Sequence, residues 1–337
     1  MTTATTGLDQ DPRFDEHRGE LVGYCYRMLG SAFDAEDAVQ DTLIRAWRGI
    51  DGFEGRAALR SWLYRIATNV CLDMLSSRNR RARPMDLSSA AWQPVEASLQ
   101  ARQPEDTWLE PMLDTHVLPS PLDPADVAVG RESIRLAFVA ALQLLPPRQR
   151  AVLILRDVLR WKADEVAALL DSSVASVNSA LQRARATIEV RAASAGESYD
   201  PLDEEQQELL AKYVEAFESY DIDRFVALLH QDATQNMPPY EMWLQGPDAI
   251  GGWMLGPGHG CRGSRLLPVV ANGAPAFAQY RASGPGGRHE PWALQVLEVS
   301  DGRVVGITSF LDTRLFALLG LPARLPRLRG TAARHAD

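Results

Sequence analysis

The chain has 337 residues, 46% of them hydrophobic, and carries 35 lysines and arginines against 44 aspartates and glutamates, a formal net charge of −9. That length accommodates two or three domains with real cores, while the lack of any apolar run of about 18 residues excludes a membrane-spanning helix. The opening MTTATTGLDQDPRFDEHRGE has neither a basic start nor an apolar signal core, so a soluble cytoplasmic protein is expected; Cys25, Cys71 and Cys261 are too far apart to imply a disulfide framework or a zinc site.

The first strong signal is DAEDAVQDTLIRAW, which gathers Asp34, Glu36, Asp37 and Asp41 on the opening turns of a predicted helix, where carboxylates suit the positive end of the dipole. The next helical pattern, SWLYRIATNVCLDMLSSRNRRAR, is basic: residues 56 to 83 hold Arg56, Arg60, Arg65, Arg78, Arg80, Arg81 and Arg83 against only Asp73. Arginines at a helix end are ordinarily a solvated terminus. An acidic and a basic surface on one small unit nevertheless fit two different partners. Trp62 and Tyr64 cannot share a helix face, so at least one of them is core.

Residues 84–127 read as an acidic, extended, proline-rich linker, with Pro84, Pro94, Pro104, Pro111, Pro119, Pro121 and Pro124 each discouraging helix. Trp92, Trp108 and Leu109 are unusual in a plain spacer, so part of it is expected to dock. Helical spacing returns with Ile134, Phe138, Ala141, Leu142 and Leu145, and Pro146-Pro147 ends that helix and opens RQRAVLILRDVL. In WKADEVAALLDSSVASVNSALQRARATI, Val166, Ala167 and Leu170 mark a short helix and Asp171-Ser172 a turn. Val174, Val177, Leu181 and Ala184 form the stripe of a second helix, whose other face carries Ser176, Asn178, Ser179, Gln182, Arg183 and Arg185. This is a helix-turn-helix pattern, able to place its second helix in a major groove. As an isolated hairpin it is a weak signal.

The order of these pieces is far more specific. An acidic helix, LRSWLYRIATNVCLD, an arginine run, an acidic linker and LPPRQRAVLILRDVL leading into a helix-turn-helix together resemble a bacterial RNA polymerase sigma factor of the extracytoplasmic-function (ECF) type, over roughly residues 10 to 192. The resemblance implies sigma domain two in residues 1–83 and sigma domain four in 128–195. It implies docking on the clamp helices of the largest polymerase subunit through Asp37, Gln40, Asp41, Arg45 and Trp47, with the flap of the second-largest subunit as a further partner. It also implies that Phe53, Arg56, Arg60, Trp62, Arg65 and Asn69, with Arg78, Arg80 and Arg81, hold the separated strand of the −10 promoter element. Unstacked bases and dense phosphate charge call for those residue types. Asn69 lies where an extruded base is read, through an amide that both donates and accepts.

By the same resemblance Ser176, Asn178, Ser179, Gln182 and Arg183 face the −35 element. Here the chain departs from the common V(R/K)SRL.RAR pattern, because Val177-Asn178-Ser179-Ala180-Leu181-Gln182-Arg183-Ala184-Arg185 lacks two basic side chains. Phosphate contacts should be fewer and polar base contacts weightier. The linker is implied to thread near the polymerase active site and RNA exit path, its carboxylates imitating RNA phosphates.

Residues 196–337 form a third unit. EEQQELLAKYVEAFESYDIDRFVALLHQDATQNMPP reads as two helices, with Leu209, Tyr213 and Phe217, then Phe225, Leu228 and Leu229, on their apolar faces. GPDAIGGWML reads as a capped short helix, and AFAQYRAS, PWALQVLEV and VVGITSFLD as three strands. Around residues 202 to 320 this resembles the SnoaL-like cone of polyketide cyclases and ketosteroid isomerases. The fold expected is therefore multidomain: two all-α sigma domains, the second with a helix-turn-helix, plus a C-terminal α+β SnoaL-like cone. Groups of catalytic type in the cone are Tyr240, Asp232, His230, His259 and Asp312, but Asp232 sits in an HQDA turn, and ligand sensing or docking is favoured over catalysis. Tyr240, Trp243, Trp253 and Phe310 are candidates to line a small-molecule pocket, each equally readable as core. No metal, cofactor or membrane partner is expected.

The function expected is that of an alternative sigma factor directing core polymerase to promoter DNA, with the cone modulating activity. The alternative is a small-molecule-sensing helix-turn-helix regulator binding an operator, which needs neither the acidic helix nor LRSWLYRIATN. Truncation near Ser198 is expected to leave a soluble chain.

Overall fold

The computed structural model describes residues 12–53, 58–76, 80–88, 90–118, 129–191, 199–201 and 203–325; Arg56 and Arg78, both read as DNA contacts, lie outside them. Helices α1 (Pro12–Leu29), α2 (Ala32–Gly49) and α3 (Leu59–Ser76) pack on one another. The α1–α2 corner is tight because Gly30 takes φ +70°, open to glycine, and Ser31 caps α2 by accepting the Asp34 N–H at 3.1 Å. Leu21, Tyr24, Met28, Ala35, Val39, Leu63 and Ala67 fill the interior, with Cys25 and Cys71 buried among them.

Four further helices follow: α4 (Leu136–Leu142), α5 (Pro147–Leu153), α6 (Ala163–Leu169) and α7 (Val174–Arg191). Pro147 opens α5, where its missing N–H costs nothing. The α6–α7 turn passes through Asp171 at φ +50°, and the Ser173 hydroxyl accepts the Ser176 N–H at 3.2 Å. Val177, Leu181 and Ala184 are buried as the stripe predicts, but Val174, at the mouth of α7, is exposed.

The two helical units share one core. Helix α3 packs against α5 and α6, and the Tyr64 ring lies 5.2 Å from Tyr24 and 5.0 Å from Trp161, just before α6. Arg150 of α5 is buried and donates to the Met28 carbonyl in the last turn of α1 and, at 2.6 Å, to Gln143 Oε1. Desolvation lowers its pKa to about 10, so it stays charged at neutral pH and complements the negative end of the α1 dipole.

The C-terminal unit sets α8 (Glu204–Ser219), α9 (Ile222–Ala227) and α10 (Pro247–Leu255) against a six-stranded sheet in the order β2-β1-β6-β5-β4-β3. The strands are β1 (Leu229–Asn236), β2 (Trp243–Gln245), β3 (Arg265–Ala271), β4 (Ala274–Gly284), β5 (Arg288–Ser300) and β6 (Arg303–Phe310). Only β1 and β6 are parallel, with Gln235 opposite Ile307. The three predicted strands are β4, β5 and β6. Leu229 and the HQDA segment, read as helix and turn, belong to β1, a strand poor in β-formers that is held by pairing on both sides. Strand β3 escapes notice because Pro268 interrupts it, which an edge strand tolerates.

Alternation along the sheet gives it two apolar faces. Phe277, Leu297 and Ile307 pack with Tyr213, Phe217, Phe225 and Trp253 inside the cone. On the other face Ala276, Ala278, Tyr280, Leu294 and Val296 join the core of the helical half. The expectation for truncation near Ser198 therefore needs correction, because removing the cone uncovers an apolar seam.

The linker docks, as its aromatic residues suggest, and it is a strap rather than a free spacer. Trp108, Leu109, Met112 and Leu113 are buried, and isolated bridges join Ala82 to Trp108, Arg102 to Tyr240 and Leu113 to Ala271. One hairpin tip pins the assembly. Asn272 bonds Met112 of the strap twice: its N–H donates to the Met112 carbonyl at 2.9 Å, and its side-chain Oδ1 accepts the Met112 N–H at 3.0 Å. Its Nδ2 donates to the Tyr26 hydroxyl at 2.6 Å and the Ile134 carbonyl at 2.7 Å, and the Gly273 N–H donates to Asp114 at 2.8 Å. Asn272 thus touches α1, the strap and the approach to α4 at once. Gly273 has φ +63°, and a Cβ there would lie 2.5 Å from the Arg131 carbonyl oxygen.

Burial holds the carboxyls of Glu110 and Asp114 above the usual range, outweighing Arg81 for the first and the Gly273 N–H and Arg131 for the second. The folded state therefore binds these protons more tightly than the unfolded chain. Their contribution is fully present below the ordinary carboxylate range and is lost as pH rises through the raised values. Asp114→Asn, which keeps an acceptor for Gly273, is expected to flatten the pH dependence of unfolding above the ordinary carboxylate range; paired denaturant titrations of the two proteins check it.

Candidate nucleic-acid and polymerase interfaces

Helix α2 presents one open face. Asp37, Gln40, Arg45 and Trp47 are exposed and Asp41 half-buried, while Ala38, Val39, Leu43 and Ala46 face the core. Arg45 pairs with Asp41 at 2.8 Å and approaches Asp73 of α3 at 3.6 Å. Asp34 and Glu36, in the same acidic run, serve elsewhere: Asp34 is buried against Arg81 at 2.7 Å, and Glu36 pairs with Arg18 at 2.6 Å.

On α3 the sequence question of Trp62 and Tyr64 resolves cleanly. Tyr64 is fully buried, and burial pushes its hydroxyl pKa well up. Trp62 is half-buried, its ring 5.0 Å from Phe53. Trp62, Arg65 and Asn69 stand at i, i+3 and i+7, one stripe of the helix, with Arg65 and Asn69 exposed. This joins an aromatic platform, a cation and an amide on one line, the set that an unstacked strand engages.

Two of the arginines depart from the expectation. Arg81 is 7% exposed, donating to Asp34 and, at 2.6 Å, to the Trp108 carbonyl, so it fastens the strap to α2 and has no free donor face for a phosphate. Arg60 stays half-exposed but is bonded to Glu20 at 2.8 Å and lies 5.1 Å over the rings of both Tyr64 and Trp161, so its charge is already partly paired within the protein. Arg80 is exposed. No sequence signal distinguished Arg81 from Arg80, because the distinction depends on a partner 47 residues away.

The second helix of the helix-turn-helix presents Ser176, Asn178, Ser179, Gln182 and Arg183 to solvent. Arg185 is anchored to Asp157 by two bonds, at 2.6 and 2.8 Å, steadying α7 on the segment that follows α5.

In the cone, the four candidate pocket residues do not share one site. Trp253 lines the interior, where about 30 Å³ of free space remains; Tyr240 and Phe310 line a different cavity against the strap; Trp243 is buried apart from both. The interior polar groups are neutral: Tyr213 donates to Gln295 at 2.9 Å, Gln295 to Gln279 at 2.9 Å, and Gln279 to Ser264 at 3.0 Å. No carboxylate or histidine among the described residues lines that space. His230 and Asp232 are neighbours on β1 facing solvent, Asp312 is tied to Arg314, and His259 is exposed, so the groups of catalytic type are scattered.

Comparison with known proteins agrees with this layout. Residues 13–81 match sigma-70 region 2, residues 135–188 match sigma-70 region 4, and residues 210–307 match the SnoaL-like domain. The chain is 48% identical over 314 residues to the ECF RNA polymerase sigma factor SigG of Mycobacterium tuberculosis, covering 92% of this chain and 83% of that one. It is 26% identical over 341 residues to SigJ of the same organism, covering 96% and 98%. The crystal structure of SigJ superposes with a TM-score of 0.57 at 22% identity, over 93% of this chain and all of that one, which establishes the shared fold. A simple operator-binding regulator would lack the region-2 unit, so that alternative falls away. An open acidic helix, a basic aromatic stripe and a helix-turn-helix, in that order and at that identity, place this chain in the ECF family of RNA polymerase sigma factors, carrying a SnoaL-like domain after region 4.

Proposed function

We propose that the exposed face of α2, with Asp37, Gln40, Asp41, Arg45 and Trp47, docks on core RNA polymerase. In this reading the Trp62–Arg65–Asn69 stripe with Phe53 holds the separated −10 strand, and the polar face of α7 reads the −35 element. The observation that carries it is the stripe itself: an aromatic, a cation and an amide left open on α3 while Tyr64 beside them is sealed in the core. The cone acts as a restraint rather than an enzyme, supported by its filled, uncharged interior.

The structure is a closed state under this reading. Elements named −10 and −35 lie about 25 base pairs apart, roughly 85 Å of duplex at 3.4 Å per pair, whereas α3 touches both α5 and α6. Reading both elements requires the two helical units to part, and the strap must leave its seat before it can thread through polymerase.

Reconstituted transcription is the direct test, since only a sigma factor lets core polymerase start at a promoter. Asp37→Arg with Asp41→Arg is expected to abolish core binding in a folded chain, because attraction at the contact becomes repulsion; normal core affinity would overturn the docking face. Asn69→Ala is expected to keep core binding while losing open complex, read as missing permanganate reactivity around −10. Unchanged reactivity would reduce Asn69 to an ordinary surface residue.

A further inference from the structure

A cleft of about 450 Å³ lies between the strap and the cone, within the range of small-molecule sites. Its apolar walls include Trp108 from the strap and Tyr240, Trp292 and Phe310 from the cone. It is distinct from the cone interior, which keeps only about 30 Å³.

The charged groups around it are unequal. Arg314 donates to Asp312 at 2.6 Å and is bonded to Glu105, so these three satisfy one another. Glu110 accepts from Ser31 and the Phe33 N–H and lies 3.7 Å from Arg81. Arg102 is left: exposed at the rim of the cavity, it has no ion pair among the described residues, and the half-buried Tyr240 has no hydrogen-bond partner for its hydroxyl among them. Arg102 and Tyr240 face each other across an antiparallel bridge, so their side chains leave the backbone on the same side, and both line the cavity. Two unspent donors, one cationic, thus stand side by side at the edge of an aromatic slot. A carboxylate takes up both, since it accepts from a guanidinium and a hydroxyl together.

We infer that this seam is a binding site for an aromatic monocarboxylate, its ring among Trp108, Trp292 and Phe310 and its carboxylate on Arg102 and Tyr240. Because the strap supplies part of the wall, such a ligand binds the docked strap better than the released one and so favours the closed arrangement.

Calorimetric titration of the full chain with 2-naphthoate tests this. Saturable one-to-one binding is expected, weakened at least tenfold by Arg102→Gln and several-fold by Tyr240→Phe. The uncharged 2-naphthalenemethanol is expected to bind at least tenfold more weakly than 2-naphthoate and to ignore Arg102→Gln. Arg288→Gln, exposed on β5 and outside the cavity, should change nothing. The probe is also expected to slow amide exchange in residues 102–110. The inference is overturned by the absence of saturable binding, by equal affinity in Arg102→Gln, by an equal loss in Arg288→Gln, or by binding without protection of the strap.

Discussion

Asn272→Ala is expected to open the molecule. The substitution strips three buried bonding partners at once, namely the Tyr26 hydroxyl, the Ile134 carbonyl and the Met112 N–H. The Tyr26 hydroxyl keeps its bond to the Glu110 carbonyl; each of the two groups left stranded costs about 1–3 kcal/mol, so the seam should lose about 2–6 kcal/mol. Alanine is also strained at the φ of +56° that Asn272 adopts, a conformation asparagine tolerates better. The loss falls on the docking of the cone and strap onto the helices, because the bonds run between units rather than within the sheet. A larger radius of gyration in solution scattering and faster amide exchange at Met112 and Leu113 are the expected readouts, with the cone's own strands still protected. An unchanged radius and unchanged exchange would show that the apolar seam holds the units together without this turn. Asn272→Gly relieves the backbone but restores none of the side-chain bonds, so it should open nearly as far.

Arg81→Ala should cost about 3–5 kcal/mol of stability, the penalty for removing one partner of a buried ion pair. Asp34, itself buried, loses a partner at 2.7 Å, Glu110 loses the cation 3.7 Å away, and the Trp108 carbonyl loses its donor. Its sequence neighbour makes the contrast. Arg80 is exposed, so Arg80→Ala should stay within about 0.5 kcal/mol of the parent in stability while weakening promoter binding in a salt-dependent way. Denaturant midpoints and DNA affinities measured on both variants separate a structural fastening from a phosphate contact. If Arg81→Ala lowered DNA affinity alone, with an unchanged midpoint, the fastening role would be wrong.

Periodicity, caps and turn residues are local properties, and the sequence by itself determined what depends on them. It specified α2–α7 and their order, the helix-turn-helix with its polar face, the acidic helix, strands β4 to β6, and the sigma-type arrangement that the relatives share. It also narrowed Trp62 and Tyr64 to at least one core residue, since helix geometry alone forbids them a common face. Tertiary structure decided everything that depends on a distant partner. Strand β1 exists because β2 and β6 pair with it, against the preference of its own Asp, Asn and Gln residues. Arg81 is a fastening because Asp34 and Trp108 reach it, while Arg80, of identical chemistry, faces water. The proline-rich segment is a strap because a hairpin tip 160 residues further along bonds to Met112, which no local pattern encodes. Proline content announces a lack of helix; it carries no information about what surface an extended chain will find.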